Sequence, residues 1–184
     1  MDRWRDTGEV PGPVMVWTPA QTGAFLDHAA RYDPALYPLF HLVAHRGLRR
    51  GEAVGLGDAD THLDHAEITI TQQLTTAGRS VQRKPPKSDA GHRVIALDSG
   101  TVAALRAYRA HRPATDDSGL FFVRPDGQPW HPDTVSRRFR RLIDDASLPP
   151  VRLHDLQHGA ATLALAAGAT SRSSRPPWAT RPWP

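Results

Sequence analysis

Residues Arg152 to Gly168 read RLHDLQHGAATLALAAG. Apolar residues from Leu156 to Ala167 recur at spacings of four, three and four, which predicts a helix with one apolar face packed inward. His154 stands at the start of that helix, where free backbone N–H groups and the positive end of the helix dipole favour an anion such as a phosphate. A polar helix entry without any chemistry is the alternative interpretation.

The composition of the chain limits the classes of protein to which it can belong. With 184 residues, 39% of them hydrophobic, it can bury one sizeable core, and we expect one main domain. The formal charge of +4 and the pI near 10.1 suit a polyanionic partner. The absence of cysteine excludes disulfides and thiolate metal sites and fits a reducing cytoplasm. No apolar run approaches the roughly 18 residues of a membrane span, so we expect a cytoplasmic protein without a membrane partner.

Five helices are predicted upstream of the quoted stretch from capping residues and apolar stripes. Thr18 can cap the first helix, Pro19 suits its first position, and Gly47 breaks the pattern after the second. The five predicted segments run from Pro19 through Ala29, from Ala35 to His45, from Arg49 to Leu56, from Thr101 to His111 and from Pro132 to Ala146.

The middle of the chain has the alternation that is typical of strands. Ala66 to Leu74 forms one predicted strand, Ser80 to Arg83 a returning strand, and Val94 to Leu97 a third. We therefore predict a small antiparallel sheet of three strands with Lys87 near a turn, and a short buried segment from Leu120 to Val123.

Two further segments stand upstream of the helix that begins near His154. Residues His45 to Leu56 read HRGLRRGEAVGL, and Lys84 to Leu97 read KPPKSDAGHRVIAL. In that order and at those distances, the three segments resemble the catalytic domain of the tyrosine recombinase (phage integrase) family, over residues 17–168. The resemblance implies a mainly α-helical fold with the small antiparallel sheet. It also implies site-specific DNA recombination, in which strands are cleaved and rejoined through a covalent phosphotyrosine without a metal or nucleotide cofactor. The implied partners are double-stranded DNA and other recombinase protomers.

Exchange of a DNA phosphodiester without a metal needs a nucleophile in line, cations around the equatorial oxygens and an acid for the leaving 5′ oxygen. The resemblance implies that Arg49 is the first catalytic arginine, that Lys87 protonates the leaving oxygen, and that His154 assists phosphate binding or proton transfer. Glu52 could orient Arg49, and Lys84 is the alternative to Lys87. Plain solvated surface side chains are the competing interpretation for each of them.

Two departures from the family pattern affect the expected activity. Gln157 occupies the position of the second arginine, and a neutral amide cannot make the charge-assisted fork to phosphate; losing one such contact typically costs about 3 kcal/mol of transition-state stabilisation. The family's nucleophilic tyrosine follows the central helix, whereas Tyr32, Tyr37 and Tyr108, the three tyrosines of the chain, all lie upstream. We therefore expect an impaired or inactive recombinase that binds DNA weakly and in a salt-sensitive way.

The two ends of the chain differ in character from its middle. Residues 1–16, which contain Gly and Pro without periodicity, are interpreted as a linker or the remnant of a missing N-terminal DNA-binding domain. Residues 169–184 are rich in Pro, Ser and Arg, and we expect them to be disordered. Plausible codons for this tail, read two bases later, encode a Leu-Gly-His box of the family type, so we hypothesise a frameshift and a C-terminally incomplete catalytic domain.

In the last predicted helix, Arg137, Arg138, Arg140 and Arg141 are predicted to point outward, and a solvated face is the ordinary interpretation of such a run. Five basic residues are candidates for DNA-phosphate contacts. They are Arg50, Lys84, Arg137, Arg138 and Arg141. Two alternative functions remain at this point. One is a non-catalytic DNA-binding or interaction fragment. The other is a metal hydrolase that uses His154, Asp155 and His158, since two of these histidines stand four apart on one helix face.

Overall fold

The structure is a computed structural model, and it describes residues 16–78, 80–86, 91–113 and 118–156. The elements in chain order are α1 Pro19–Tyr32, α2 Tyr37–Arg46, α3 Arg50–Val54, β1 Thr61–His62, β2 Glu67–Ile70, β3 Gln73–Ala77, β4 Ser80–Lys84, β5 Arg93–Ala96, α4 Ser99–His111 and α5 Pro132–Asp145. A further helical turn covers 153–156. The predicted linker as far as residue 15, the predicted central helix from residue 157 onward and the predicted disordered tail lie outside the described residues.

The helix boundaries follow from capping chemistry that is visible in the sequence. The Thr18 hydroxyl accepts a hydrogen bond from the Gln21 backbone N–H at 3.2 Å, while the Gln21 side chain accepts one from the Thr18 N–H at 2.9 Å. Gly47 ends α2 with a φ of 66°, in the left-handed region that glycine adopts without strain. The prediction that the first helix begins at Pro19 is therefore confirmed.

The core lies between α1, α2 and α5, where three aromatic rings meet. The ring centroids of Phe25 and Phe139 are 4.9 Å apart, and those of Phe40 and Phe139 are 5.6 Å apart. All three side chains are completely buried, and the predicted buried segment from Leu120 to Val123 is buried as well. The apolar stripes predicted for these helices thus face one another, as burial of their area from water requires.

The sheet has three strands, as predicted, but they are not the three strands that were predicted. The three-stranded antiparallel sheet has the order β1-β2-β5, and β3 and β4 form a separate two-stranded hairpin. The predicted strand from Ala66 to Leu74 is therefore two strands. The chain changes course between them, where the Thr71 hydroxyl donates to the Asp60 carboxylate at 2.7 Å and the Gln72 amide donates to the Gly55 carbonyl at 2.9 Å.

In the described part of the chain, no helix has the length and apolar content needed to cross a bilayer.

Candidate DNA-phosphate site

Arg49 lies immediately before α3, with an extended backbone at φ −69° and ψ 149°. Its backbone N–H donates to Oε2 of Glu52 at 3.0 Å, and its Nη1 donates to Oε1 of the same carboxylate at 3.1 Å. The Arg49 side chain is still 56% exposed. The guanidinium is therefore held at Nη1, while more than half of the side chain remains in solvent.

Glu52 is the buried centre of this site, with only 1% of its side chain exposed. Its carboxylate also accepts a fork of two hydrogen bonds from Arg93, from Nη2 to Oε2 at 2.8 Å and from Nη1 to Oε1 at 3.1 Å. Arg93 Nη1 also donates to the Gly91 carbonyl at 3.2 Å. The Glu52 carboxylate thus binds two guanidinium groups. One belongs to Arg49, which precedes α3, and the other belongs to Arg93 on β5.

The charge on Glu52 is maintained by these partners. Burial alone would raise the pKa of its carboxyl group, but the hydrogen bonds from Arg93 and from the Arg49 backbone, together with the two positive charges, outweigh burial and lower the pKa below its ordinary value. Glu52 is therefore ionised at neutral pH, and the three side chains together carry a single net positive charge.

Helix α3 lies directly against the backbone of β3, because two glycines leave no side chain between them. A Cβ on Gly51 would lie 2.7 Å from the Leu74 carbonyl oxygen, and a Cβ on Gly55 would lie 2.8 Å from the Leu74 nitrogen. Next to Leu74, the Gln73 side chain donates to the Pro85 carbonyl at 2.9 Å. The segment that follows β4 is thereby tied to the strand that supports Arg49.

The phage integrase family model matches residues 16–173. The chain belongs to the phage integrase family. It is 30% identical over 149 residues to the putative prophage phiRv2 integrase of Mycobacterium tuberculosis, a match that covers 79% of this chain and 40% of that protein. It is 24% identical over 160 residues to the ICEBs1 integrase of Bacillus subtilis, covering 83% and 43%. The chain thus spans about two fifths of the length of these relatives.

The fold of this phage integrase family member is shared with solved recombinase structures. The Tn1549 transposon integrase in complex with transposon right end DNA superposes with a TM-score of 0.76 at 22% identity, over 89% of this chain and 57% of that one. The XerA recombinase superposes with a TM-score of 0.69 at 23% identity, over 89% and 53%. The mainly α-helical fold with a small antiparallel sheet is thus that of a tyrosine recombinase catalytic core.

Of the other catalytic positions predicted from the sequence, His154 is among the described residues of this integrase-family chain, and two are not. Lys87 and Gln157 lie outside the described residues. His154 is exposed in the helical turn 153–156, and Asp155 stabilises the start of that turn by accepting a hydrogen bond from the Arg152 N–H at 3.1 Å. Asp155 therefore has a capping role in this turn.

Two of the predicted DNA-contacting residues, Arg50 and Lys84, lie on α3 and β4. Arg50 Nη1 donates to the Asp133 carboxylate at 3.0 Å and to the Ser136 hydroxyl at 2.9 Å, so this side chain connects α3 to α5. Lys84 is exposed at the end of β4, opposite Gln73 in the strand register. Lys84 therefore stands on the hairpin that supports α3.

The sequence predicted that the arginines of α5 point outward, but this is not true of all of them. Arg137 is exposed and donates to the Thr134 hydroxyl at 3.0 Å, and Arg141 is also exposed. Arg138 is 40% exposed, and its Nε lies 2.7 Å from the buried Asp33 carboxylate while its guanidinium lies 5.1 Å from the centre of the Trp130 ring. Its outward orientation was predicted wrongly, because the buried acid lies more than a hundred residues away in sequence and its position follows only from the packing of α1 against α5.

The three tyrosines occupy structural positions in helices. The Tyr108 hydroxyl donates to the Val123 carbonyl at 3.1 Å and accepts from the Val123 N–H at 2.9 Å, and burial raises its pKa. Tyr32 is exposed at the end of α1, and Tyr37 begins α2. Within the described part of the chain, no hydrogen bond joins any of these hydroxyls to Arg49.

The sequence did not single out Arg93 as a site residue. Arg93 lies opposite Ile70 in the β2–β5 ladder, and this register directs it to Glu52. The available signal was a further basic residue in the Lys84 to Leu97 segment together with an acidic residue, Glu52, in the short helix predicted from Arg49 to Leu56. Neither reveals which residues meet until the strands are paired.

The metal-hydrolase alternative depends on His158, which lies outside the described residues. Among residues 16–78, 80–86, 91–113 and 118–156, no group of three or more His, Cys, Asp or Glu side chains is placed to hold a metal ion.

Proposed function

We propose that this chain provides the phosphate-binding part of a tyrosine recombinase catalytic domain and that it binds double-stranded DNA without cleaving it. The observation that carries the proposal is the Arg49 guanidinium, which is exposed to solvent yet anchored by the buried, ionised Glu52. A guanidinium never loses its charge at physiological pH, and its planar fork matches the oxygens of a phosphate.

The roles of the remaining residues follow from the chemistry of phosphodiester exchange. In the cleavage reaction of the family, Lys87 would protonate the leaving 5′ oxygen and His154 would assist phosphate binding or proton transfer. In this chain, where cleavage is not expected, both would contribute only to phosphate binding. Arg137, Arg141 and Lys84 would contact neighbouring phosphates, each adding to the salt dependence of binding. The partners would be duplex DNA in the cytoplasm and further recombinase protomers. The DNA-bound Tn1549 integrase supports this proposal through its shared fold.

The proposed lack of cleavage by the 184-residue chain rests on Gln157 and on the positions of its three tyrosines. Gln157 offers a neutral amide where the family pattern has an arginine, so one of the two charge-assisted contacts to the reacting phosphate is lost. The tyrosines at positions 32, 37 and 108 all precede the helix that carries His154, and the hydroxyl of Tyr108 is already engaged by Val123. Binding without strand cleavage is the activity that these residues support.

The proposed DNA contact predicts a change in salt dependence when Arg49 is replaced. The affinity of the 184-residue chain for a fluorescent duplex would be measured by anisotropy from about 50 to about 200 mM salt, for the wild type and for Arg49→Ala. Because each phosphate contact contributes about 0.9 to the slope of log K against log salt, the slope should become shallower by about one unit. Affinity at the lowest salt should fall about tenfold, the usual size of a charge-assisted hydrogen bond.

Arg106→Ala is the matched control for this experiment. Arg106 pairs at 2.9 Å with Asp64, which is almost fully exposed, so its replacement also removes one arginine charge from the protein but at a solvated surface pair. Equal slopes for the wild type and Arg49→Ala, or equal losses in Arg49→Ala and Arg106→Ala, would contradict a phosphate contact by Arg49.

A further inference from the structure

We infer that Arg93 is a positioning residue for Arg49: it fixes the Glu52 carboxylate, which in turn holds the Arg49 guanidinium where it can meet a DNA phosphate. This inference rests on the proposed function, because it assigns to Arg93 a role in the same phosphate site. Arg93 acts through Glu52 and is not itself proposed to touch the DNA.

The hydrogen bonds of Glu52 carry this inference. Each carboxylate oxygen accepts from both arginines: Oε1 from Nη1 of Arg49 and Nη1 of Arg93, and Oε2 from the Arg49 backbone and Nη2 of Arg93, all at 2.8 to 3.1 Å. Without Arg93, the remaining donors in this set come from Arg49 itself. The carboxylate would then have no fixed partner outside the residue that it is supposed to orient.

The two arginines differ in how firmly they are held. Arg93 belongs to β5, which pairs with β2 through four successive residues, and its side chain is only 32% exposed. Arg49 precedes a helix of five residues, and most of its side chain is in solvent. The sheet is therefore the fixed reference, and the order of contact runs from the sheet through Arg93 and Glu52 to Arg49.

The chemistry at this position favours arginine over lysine. A guanidinium presents two parallel N–H groups to the two carboxylate oxygens, whereas an ammonium is a single point of charge. Arg93 also balances the burial of Glu52, whose carboxylate would otherwise be drawn toward its protonated form. A protonated Glu52 would lose part of its capacity to accept hydrogen bonds from Arg49.

A double-mutant cycle tests the inference. The DNA affinity and its salt dependence would be measured for the wild type, Arg49→Ala, Arg93→Ala and the double variant, with Arg106→Ala as the control for a lost arginine charge. If Arg93 acts only through Arg49, Arg93→Ala should lower affinity by about five- to tenfold, and the double variant should be within about twofold of Arg49→Ala, because coupled residues are non-additive.

Two outcomes of the cycle would overturn the inference. If the losses multiply and the salt slope falls by about two units in the double variant, Arg93 contacts a phosphate independently. If Arg93→Ala is folded and binds DNA like Arg106→Ala, Arg93 serves stability alone. If instead Arg49→Ala binds DNA like the wild type, the proposed function is wrong. The role of Arg93 in positioning Arg49 is then tested by the mobility of the Arg49 guanidinium in the absence of DNA.

That behaviour can be observed without DNA by NMR of the arginine side chains. The Arg49 guanidinium signals, assigned by their loss in Arg49→Ala, should show slow rotation of the Nη groups in the wild type and averaged rotation in Arg93→Ala. Unchanged Arg49 signals would overturn the inference. Arg93→Lys retains the charge beside Glu52 and covers the case in which Arg93→Ala does not fold. It should restore folding while leaving DNA affinity at least about threefold below the wild type, because one-point contact does not fix the carboxylate.

Discussion

Arg138 belongs to an arginine-rich run on α5, but unlike its neighbours it forms an ion pair with a buried acid, Asp33. Arg138 lies three residues after Val135 and four before Leu142, at the border of the buried stripe of α5. Asp33 is only 3% exposed, and burial raises the pKa of its carboxyl group more than the nearby Arg138 lowers it. The ion pair therefore compensates for part of the cost of burying Asp33.

Replacing Arg138 with alanine should destabilise the fold in a pH-dependent manner. Leaving Asp33 buried without its cation should lower the free energy of unfolding by about 2–3 kcal/mol at neutral pH. The raised native pKa means that the folded protein takes up a proton at Asp33 before the unfolded chain does, so folding gains stability as the pH falls through the native pKa. Since Arg138→Ala raises that pKa further, its deficit should be smaller near pH 5 than near pH 7.5.

Urea unfolding at both pH values measures this deficit. Arg141→Ala is the control, because Arg141 lies on the same helix, is 84% exposed and approaches Asp145 only to 3.8 Å. An equal loss of stability for Arg138→Ala at the two pH values would show that removing Arg138 does not change the pKa of Asp33.

The helices were predictable from sequence because each signal for them is local. The Thr18 cap, the proline after it and the left-handed Gly47 all act within a few residues, and the apolar stripes of α1, α2 and α5 were found buried as predicted. The strands were less predictable, because the residues that end β2 and redirect the chain into β3 act through distant partners, as Thr71 does through Asp60. Periodicity carries no information about such partners.

The contact between α3 and β3 leads to a prediction at the scale of elements. Gly55 has a φ of −90°, which alanine adopts readily, so any effect of Gly55→Ala comes from contact and not from backbone strain. The added Cβ would lie 2.8 to 2.9 Å from backbone atoms of Gly51, Leu74 and Gln73, none of which can move alone. We expect a loss of about 1–3 kcal/mol in the free energy of unfolding, together with weaker DNA binding through displacement of Arg49.

Gly23→Ala is the matched control for Gly55→Ala. Gly23 lies inside α1 with no atom within 4 Å of its added Cβ. Because alanine restricts the unfolded chain more than glycine does, this variant should be more stable by about 0.5–1 kcal/mol and should bind DNA normally. Thermal unfolding of both variants checks the pair. Equal melting temperatures would mean that α3 does not need to lie so close to β3.

At the scale of the whole molecule, the family was predictable and the working of the site was only partly so. Three segments in the right order, spread over the chain, predicted the phage integrase family that the match over residues 16–173 shows. The site prediction identified Arg49 and considered Glu52. It did not include Arg93, since its contact with Glu52 depends on strand register. The chain's charge of +4 predicted a polyanionic partner but could not show that individual arginines such as Arg138 are engaged internally.

Placing an arginine at position 157 separates binding from cleavage in the 184-residue chain. Gln157→Arg adds a cation at the second arginine position of the family pattern, so DNA affinity should rise about tenfold and the salt slope should steepen by about one unit. Neither the wild type nor Gln157→Arg should form a covalent adduct on a nicked duplex that traps phosphotyrosine. An adduct in denaturing gel electrophoresis would contradict the proposed absence of cleavage. Gln128→Arg, on an exposed loop, controls for the added charge.

The carboxylate shared between Arg49 and Arg93 also constrains how the gene can change over time. Loss of Glu52 first would leave two like charges without their common counterion, and loss of either arginine first would leave a buried acid short of donors. Removal of any one of the three charged side chains therefore has a cost. In family members that have the same arrangement, the three codons should therefore be retained together while selection acts on them. Once selection ceases, a substitution at one of them should soon be followed by substitutions at the other two.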